Sequence, residues 1–118
     1  MNWFLAKIVY RIVCGEGIHQ PQFEEQLRLI QATCEGEALV KAKQIGLAEE
    51  VQFSNQQQQL VQWRFINVSE VYLLQAITDG AEVYSRIEEK DDAAMYESIV
   101  HSKASFLEEQ FHALHLTH

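Results

Sequence analysis

Apolar and polar residues alternate in two runs at the start of the chain, Asn2–Cys14 and residues 22–33, separated by Gly15-Glu16-Gly17-Ile18-His19-Gln20-Pro21. A period of two predicts β-strands, and the glycine- and proline-bearing segment predicts the turn of an antiparallel hairpin. In the first run Phe4, Ala6, Ile8, Tyr10, Ile12 and Cys14 share one face and are the expected core. The other face carries Trp3, Leu5, Lys7, Val9, Arg11 and Val13, more apolar than a solvated face requires. The second run sets Phe23, Glu25, Leu27 and Leu29 against Glu24, Gln26, Arg28 and Ile30. Placing the more apolar set inward leaves Arg28 and Ile30 on the outer face.

From Cys34-Glu35-Gly36-Glu37 the period lengthens. Ala38, Leu39, Ala42, Ile45 and Leu47 fall at helical spacing, predicting a helix over residues 35–50 whose last turn is weakened, or ended, by Gly46. Val51–Ser54 is a short third strand, and residues 55–59 form a polar loop. A strong strand follows over 60–66, with Val61, Trp63 and Phe65 on one side and Gln62, Arg64 and Ile66 on the other. The alternation slips at Asn67-Val68-Ser69-Glu70 and resumes over 71–74, as a bulge or bend at Asn67 would produce. Thr78-Asp79-Gly80 is a turn. Residues 81–88 predict a last strand, with Val83, Ser85 and Ile87 inward and Glu82, Tyr84, Arg86 and Glu88 outward.

Asp91 or Asp92 then caps a long helix over 92–113, about 33 Å in length. Its stripe is Met95, Tyr96, Ile99, Val100, Ala104, Phe106, Leu107, Phe111 and Leu114. The expected architecture is α+β: an antiparallel sheet of four or five strands with two helices on one face, in the order β-β-α-(β)-β-β-α. No repeat or linker divides it, so residues 1–118 are expected to form a single domain.

Composition narrows the function more than it names it. The chain has 118 residues, 47% of them hydrophobic, enough for one core and too many for a disordered segment. No apolar run approaches the ~18 residues of a membrane span. The start, Met1-Asn2-Trp3-Phe4-Leu5-Ala6-Lys7, lacks the basic opening and apolar run of a signal peptide. A cytoplasmic location and no membrane partner are expected. Net charge is −8, with four Lys/Arg against ten Asp/Glu in residues 60–118. That balance repels phosphate backbones and disfavours nucleic acid. Cys14 and Cys34 would lie about 40 Å apart at opposite ends of the hairpin, too far for a disulfide, so two free thiols are expected.

Several segments together resemble a known family: Met1-Asn2-Trp3-Phe4-Leu5-Ala6-Lys7-Ile8-Val9, Phe23-Glu24-Glu25-Gln26-Leu27-Arg28-Leu29-Ile30, Ala38-Leu39-Val40-Lys41-Ala42, Trp63-Arg64-Phe65-Ile66-Asn67-Val68 and Asp79-Gly80-Ala81-Glu82-Val83-Tyr84-Ser85. In this order, over roughly residues 1–90, they resemble a domain of unknown function, DUF4288, found mostly in bacteria. The resemblance implies a compact α+β domain. It brings no activity and no catalytic residues to carry over.

Candidate chemistry is sparse. Cys34 occupies a helix N-cap position with Glu37 three residues on, as in a capping box, and the nearby carboxylates oppose a reactive thiolate. His112, His115 and His118 recur at steps of three, but no further ligand completes a metal site. His101 pairs in sequence with Glu97, and His19 sits in the hairpin turn without a recognisable partner. No nucleophile elbow, phosphate loop, dinucleotide fingerprint or His-Glu zinc motif is present. No catalytic residue, metal or cofactor is expected.

The outer sheet face is the strongest constellation. Lys7, Arg11, Arg28, Arg64 and Arg86 fall there with Trp3 and Tyr84, among Leu5, Val9, Val13, Ile30 and Ile66 and the acids Glu24, Glu82 and Glu88. Cross-strand charge ladders account for the charges, and apolar residues rimmed by charge mark a contact surface. The expected interface residues are Val9, Arg11, Arg28, Arg64, Ile66 and Arg86. The expected function is a non-catalytic interaction module, a homo-oligomer or a binder of another protein. Small-ligand binding, or an enzyme without a readable motif, is the alternative, using a pocket near Cys34 or the bend at Asn67. Nucleic-acid binding on the arginine face is weaker.

Overall fold

The computed structural model describes residues 1–112. These fall into two compact units, Met1–Ser85 and, from Arg86 on, a second. The first contains β1 (Asn2–Cys14), β2 (Gln22–Ala32), α1 (Glu35–Ala48), β3 (Val51–Ser54) and β4 (Leu60–Leu74). The strands form one antiparallel sheet in the order β2-β1-β4-β3. The second unit contains α2 (Ala93–Gln110).

The hairpin predicted from the opening alternation is present. β1 and β2 run in unbroken register from Asn2↔Ala32 to Ile12↔Gln22. Gly15 and Gly17 take positive φ in the connection, which their lack of a Cβ permits. The slip in the pattern near Asn67 is also real. β4 is one strand of 15 residues with register shifts against β1 on both sides of the Val68–Asn67 pairs, leaving Ser69 and Ile66 as the extra residues. Asn55 organises the β3–β4 turn, its side-chain oxygen accepting from the backbone N–H of Gln57 and Gln59.

Phe4, Ala6, Ile8 and Tyr10 are buried as expected, on the face that α1 covers. With them lie Ile30, Ala32, Ala38 and Ala42, flanked by Ile45, Val68 and Val71. Alanines on both surfaces let the helix approach the sheet closely.

Four expectations change. β2 is turned over relative to the sequence pattern: Arg28 lies opposite Ala6 and Ile30 opposite Phe4, so both belong to the helix face. Ile30 and Ala32, near the start of α1, decide the side, and Arg28 reaches Glu49 at the helix end at 2.9 Å. Gly46 does not end α1, which continues to Ala48. It is buried because Phe65 packs there; a Cβ on Gly46 would stand 2.3 Å from the Phe65 ring. Residues 81–88 join no strand ladder. After the Thr78–Ala81 turn, with Gly80 at positive φ, the chain brings Tyr84 over the sheet face opposite α1. Finally, the first turn of α1 carries no capping box. Cys34 is the N-cap but makes no side-chain cap bond, and Glu37 instead accepts from the Thr33 hydroxyl.

In the second unit Asp92 caps α2, accepting from the Met95 N–H at 3.0 Å. No residue of this helix is buried. Met95, Tyr96, Ile99, Val100, Phe106, Leu107 and Phe111 all remain exposed on one broad arc, with Lys103 inside it. The expected end of the helix at Ala113, and Leu114 of its stripe, lie outside the described residues.

Candidate functional site

The sheet face opposite α1 is built by β1, alternating with the register partners that β2 and β4 present beside it. Its residues are Leu5, Lys7, Val9, Arg11 and Val13 from β1, Phe23, Glu25, Leu27 and Leu29 from β2, and Arg64, Asn67, Glu70, Tyr72 and Leu74 from β4. It divides into a covered half and an open half.

The covered half centres on Lys7, which is buried with only 9% exposure. Its ammonium lies 2.9 Å from Glu70 and 3.6 Å from Glu25. It also lies 5.1 Å from the centre of the Tyr84 ring, which stands edge-on to Tyr72. The hydrogen bond to Glu70 dominates and holds the lysine above its ordinary range, although burial pulls the other way. An amine poised as a nucleophile needs a lowered pKa, so this lysine is built for charge pairing. Tyr72 is pushed up by desolvation and, secondarily, by its hydrogen bond with Glu70. Leu5 and Leu74 complete this buried half.

The open half is different in kind. Arg11 and Arg64 are directly opposed, both exposed, and neither has a carboxylate partner among the described residues. Directly opposed like charges disfavour a sheet pair. Arg11 lies 5.9 Å from the Phe23 ring centre, and Arg64 donates to Gln62 at 2.6 Å. Val9 is half-buried beside them. Along the β2 margin Phe23, Leu27 and Leu29 are 56%, 48% and 52% exposed. These aliphatic and aromatic residues are the part of the site that the sequence pattern had turned inward.

Of the six residues expected at the interface, the face gathers Val9, Arg11 and Arg64. Arg28 is on the opposite side with Glu49. Ile66 is an extra residue of the β4 bulges, 51% exposed. Arg86 belongs to the second unit, where it pairs with Glu88. Cross-strand ion pairs form around Lys7 with Glu25 and Glu70, rather than with the expected acids Glu24, Glu82 and Glu88. Glu24 is also on the helix face, opposite Tyr10. The correct partition of β2 was present in the sequence as Ile30 and Ala32 standing in phase beside the start of α1.

Both thiols are free. His19 is exposed but has partners: its Nε2 accepts from the Cys14 N–H at 3.0 Å and its Nδ1 lies 2.9 Å from the Gln20 carbonyl. No group of three or more His, Cys, Asp and Glu side chains able to hold a metal occurs among the described residues. His115 and His118 lie outside them. A cleft of about 490 Å³ opens between the end of β4 and residues 76–85, and neither Cys34 nor Asn67 lines it. No described helix is long and apolar enough to cross a membrane.

The sequence profile of DUF4288, a domain of unknown function, matches residues 3–85. That span ends at the boundary of the first compact unit. No curated protein matches the chain. No solved structure matches it either.

Proposed function

The chain belongs to the DUF4288 family, whose description carries no activity, and from this premise we propose that it is a non-catalytic interaction module that associates with a second copy of itself along the β2 margin of the open sheet face. The observation that carries this reading is the row Phe23, Leu27 and Leu29, about half exposed on the edge strand β2. Half-exposed strand residues in phase on one face forgo about half of what full burial contributes, roughly 1 kcal/mol each. Such a patch, rimmed by the charges of Glu25, Arg11 and Arg64, has the composition of a contact surface.

Light scattering coupled to gel filtration tests the reading. The native chain is expected to elute at a mass above 13.7 kDa. Leu27→Asp is expected to return it to one chain with unchanged circular dichroism, since Leu27 is 48% exposed. A native chain that is already monomeric, or a folded Leu27→Asp variant that still associates, overturns it.

A further inference from the structure

β2 is the longer edge strand of this sheet. Its 11 residues pair with β1 without a bulge and contain no proline, glycine or lysine. Bulges, prolines and lysines commonly blunt sheet edges, as do other charges, which β2 carries as Glu24, Glu25 and Arg28. The other edge is treated differently. β3 has four residues and covers only Leu60–Trp63 of β4. Beyond it, β4 is broken by the bulges at Ile66 and Ser69.

We infer that β2 of one copy pairs antiparallel with β2 of a second copy, about a two-fold axis at Gln26, joining two sheets into one of eight strands. The inference rests on the self-association proposed above and specifies its geometry.

Charge selects the register. On the helix face of β2, Glu24, Gln26 and Arg28 form a polarised row: Gln26 donates to Glu24 and accepts from Arg28 at 2.9 Å. An antiparallel copy reverses that row. With Gln26 opposite itself, Glu24 meets the second copy's Arg28, and Arg28 meets its Glu24. On the open face Phe23 then meets Leu29 twice, bringing half-exposed apolar side chains together, and Glu25 meets Leu27.

The neighbouring registers are worse. Centring on Glu25 or on Arg28 opposes a residue to its own like charge. Centring on Leu27 sets Glu24 against Ile30 and forms no ion pair. The Gln26 register aligns residues 22–30 of both copies and continues the exposed apolar row of one copy into that of the other. Arg28 remains able to keep Glu49, because a guanidinium offers several donors.

Oxidative cross-linking tests the register. In a Cys14→Ser, Cys34→Ser background, Gln26→Cys places two thiols opposite each other, about 5 Å apart between Cα atoms and within disulfide reach. Glu25→Cys and Leu27→Cys serve as controls, displaced beyond that reach. Gln26→Cys is expected to cross-link at least about tenfold faster than either control. Faster cross-linking of a control, or none from any of the three in a protein that light scattering shows to be dimeric, overturns the edge pairing while leaving self-association standing. A monomeric native protein removes both.

Hydrogen exchange on the unaltered protein gives a second reading. The amides of residues 22–30 that point away from β1 are expected to gain protection as concentration rises through dimerisation. Unchanged exchange in a dimer contradicts the pairing.

Discussion

Cys34 shows how a single side chain can leave a local need unmet. Its backbone has the extended N-cap conformation, φ −153° and ψ 168°, yet its thiol makes no cap bond. Serine has the same shape and a stronger acceptor. Cys34→Ser is therefore expected to stabilise the fold by roughly 1 kcal/mol, measurable by urea denaturation. No gain would mean that Thr33 and Glu37 already satisfy the first turn. Residue type and spacing located this N-cap in the sequence. They did not reveal that Glu37 turns to Thr33, because two hydroxyl- or thiol-bearing residues in succession offer the helix alternative partners. His19 was similar: its bond to the Cys14 N–H depends on the path of the hairpin loop, which no residue pattern specifies.

Among the elements, contact between α1 and β4 is tightest at Gly46. The Tyr10 hydroxyl donates to its carbonyl at 2.8 Å, and Phe65 fills the space a side chain would take. Alanine usually gains about 1 kcal/mol over glycine inside a helix. Here the overpacking cost of about 1–3 kcal/mol should win, making Gly46→Ala a net loss. Adding Phe65→Leu should recover part of it, and a thermal denaturation cycle reads the coupling. Equal losses with and without Phe65 would place the strain elsewhere. β1, α1 and the β4 irregularity were legible from their period, although Phe4–Ile8 of β1 are buried on both faces and Leu47 of α1 is exposed. β2 was not. Its more apolar side faces outward, since the unbroken register with β1 and the needs of Ile30 and Ala32 outweigh Phe23, Leu27 and Leu29. Residues 81–88 had strand alternation but found no ladder; Tyr84 instead closes over Lys7. The open half of the site was thus only partly legible, in Val9, Arg11 and Arg64.

For the whole molecule, a loss of stability in alkali is expected. Tyr10 and Tyr72 are both raised above 10.0, chiefly by desolvation. Lys7 is raised above 10.5, chiefly by Glu70. Above pH ~10 the folded chain then holds more protons than the unfolded one, so stability falls as pH rises. Their contribution is complete below that range and disappears as pH passes the folded values. Tyr10→Phe and Tyr72→Phe should each flatten the alkaline limb in denaturation measured from pH 8 to 11. A limb of unchanged steepness in both would remove these phenols as its source. On the acid side Glu37 acts in the opposite sense: its pKa is lowered by the Thr33 hydrogen bond, so its contribution fades as pH falls.

The proposed dimer depends on the outward row of β2 and the edge that carries it. Sedimentation equilibrium of the unaltered chain over a wide concentration range is the most direct measurement. A reversible approach to twice 13.7 kDa is expected, with no larger species because two-fold edge pairing consumes β2 in both copies. A mass of 13.7 kDa at every concentration would contradict it.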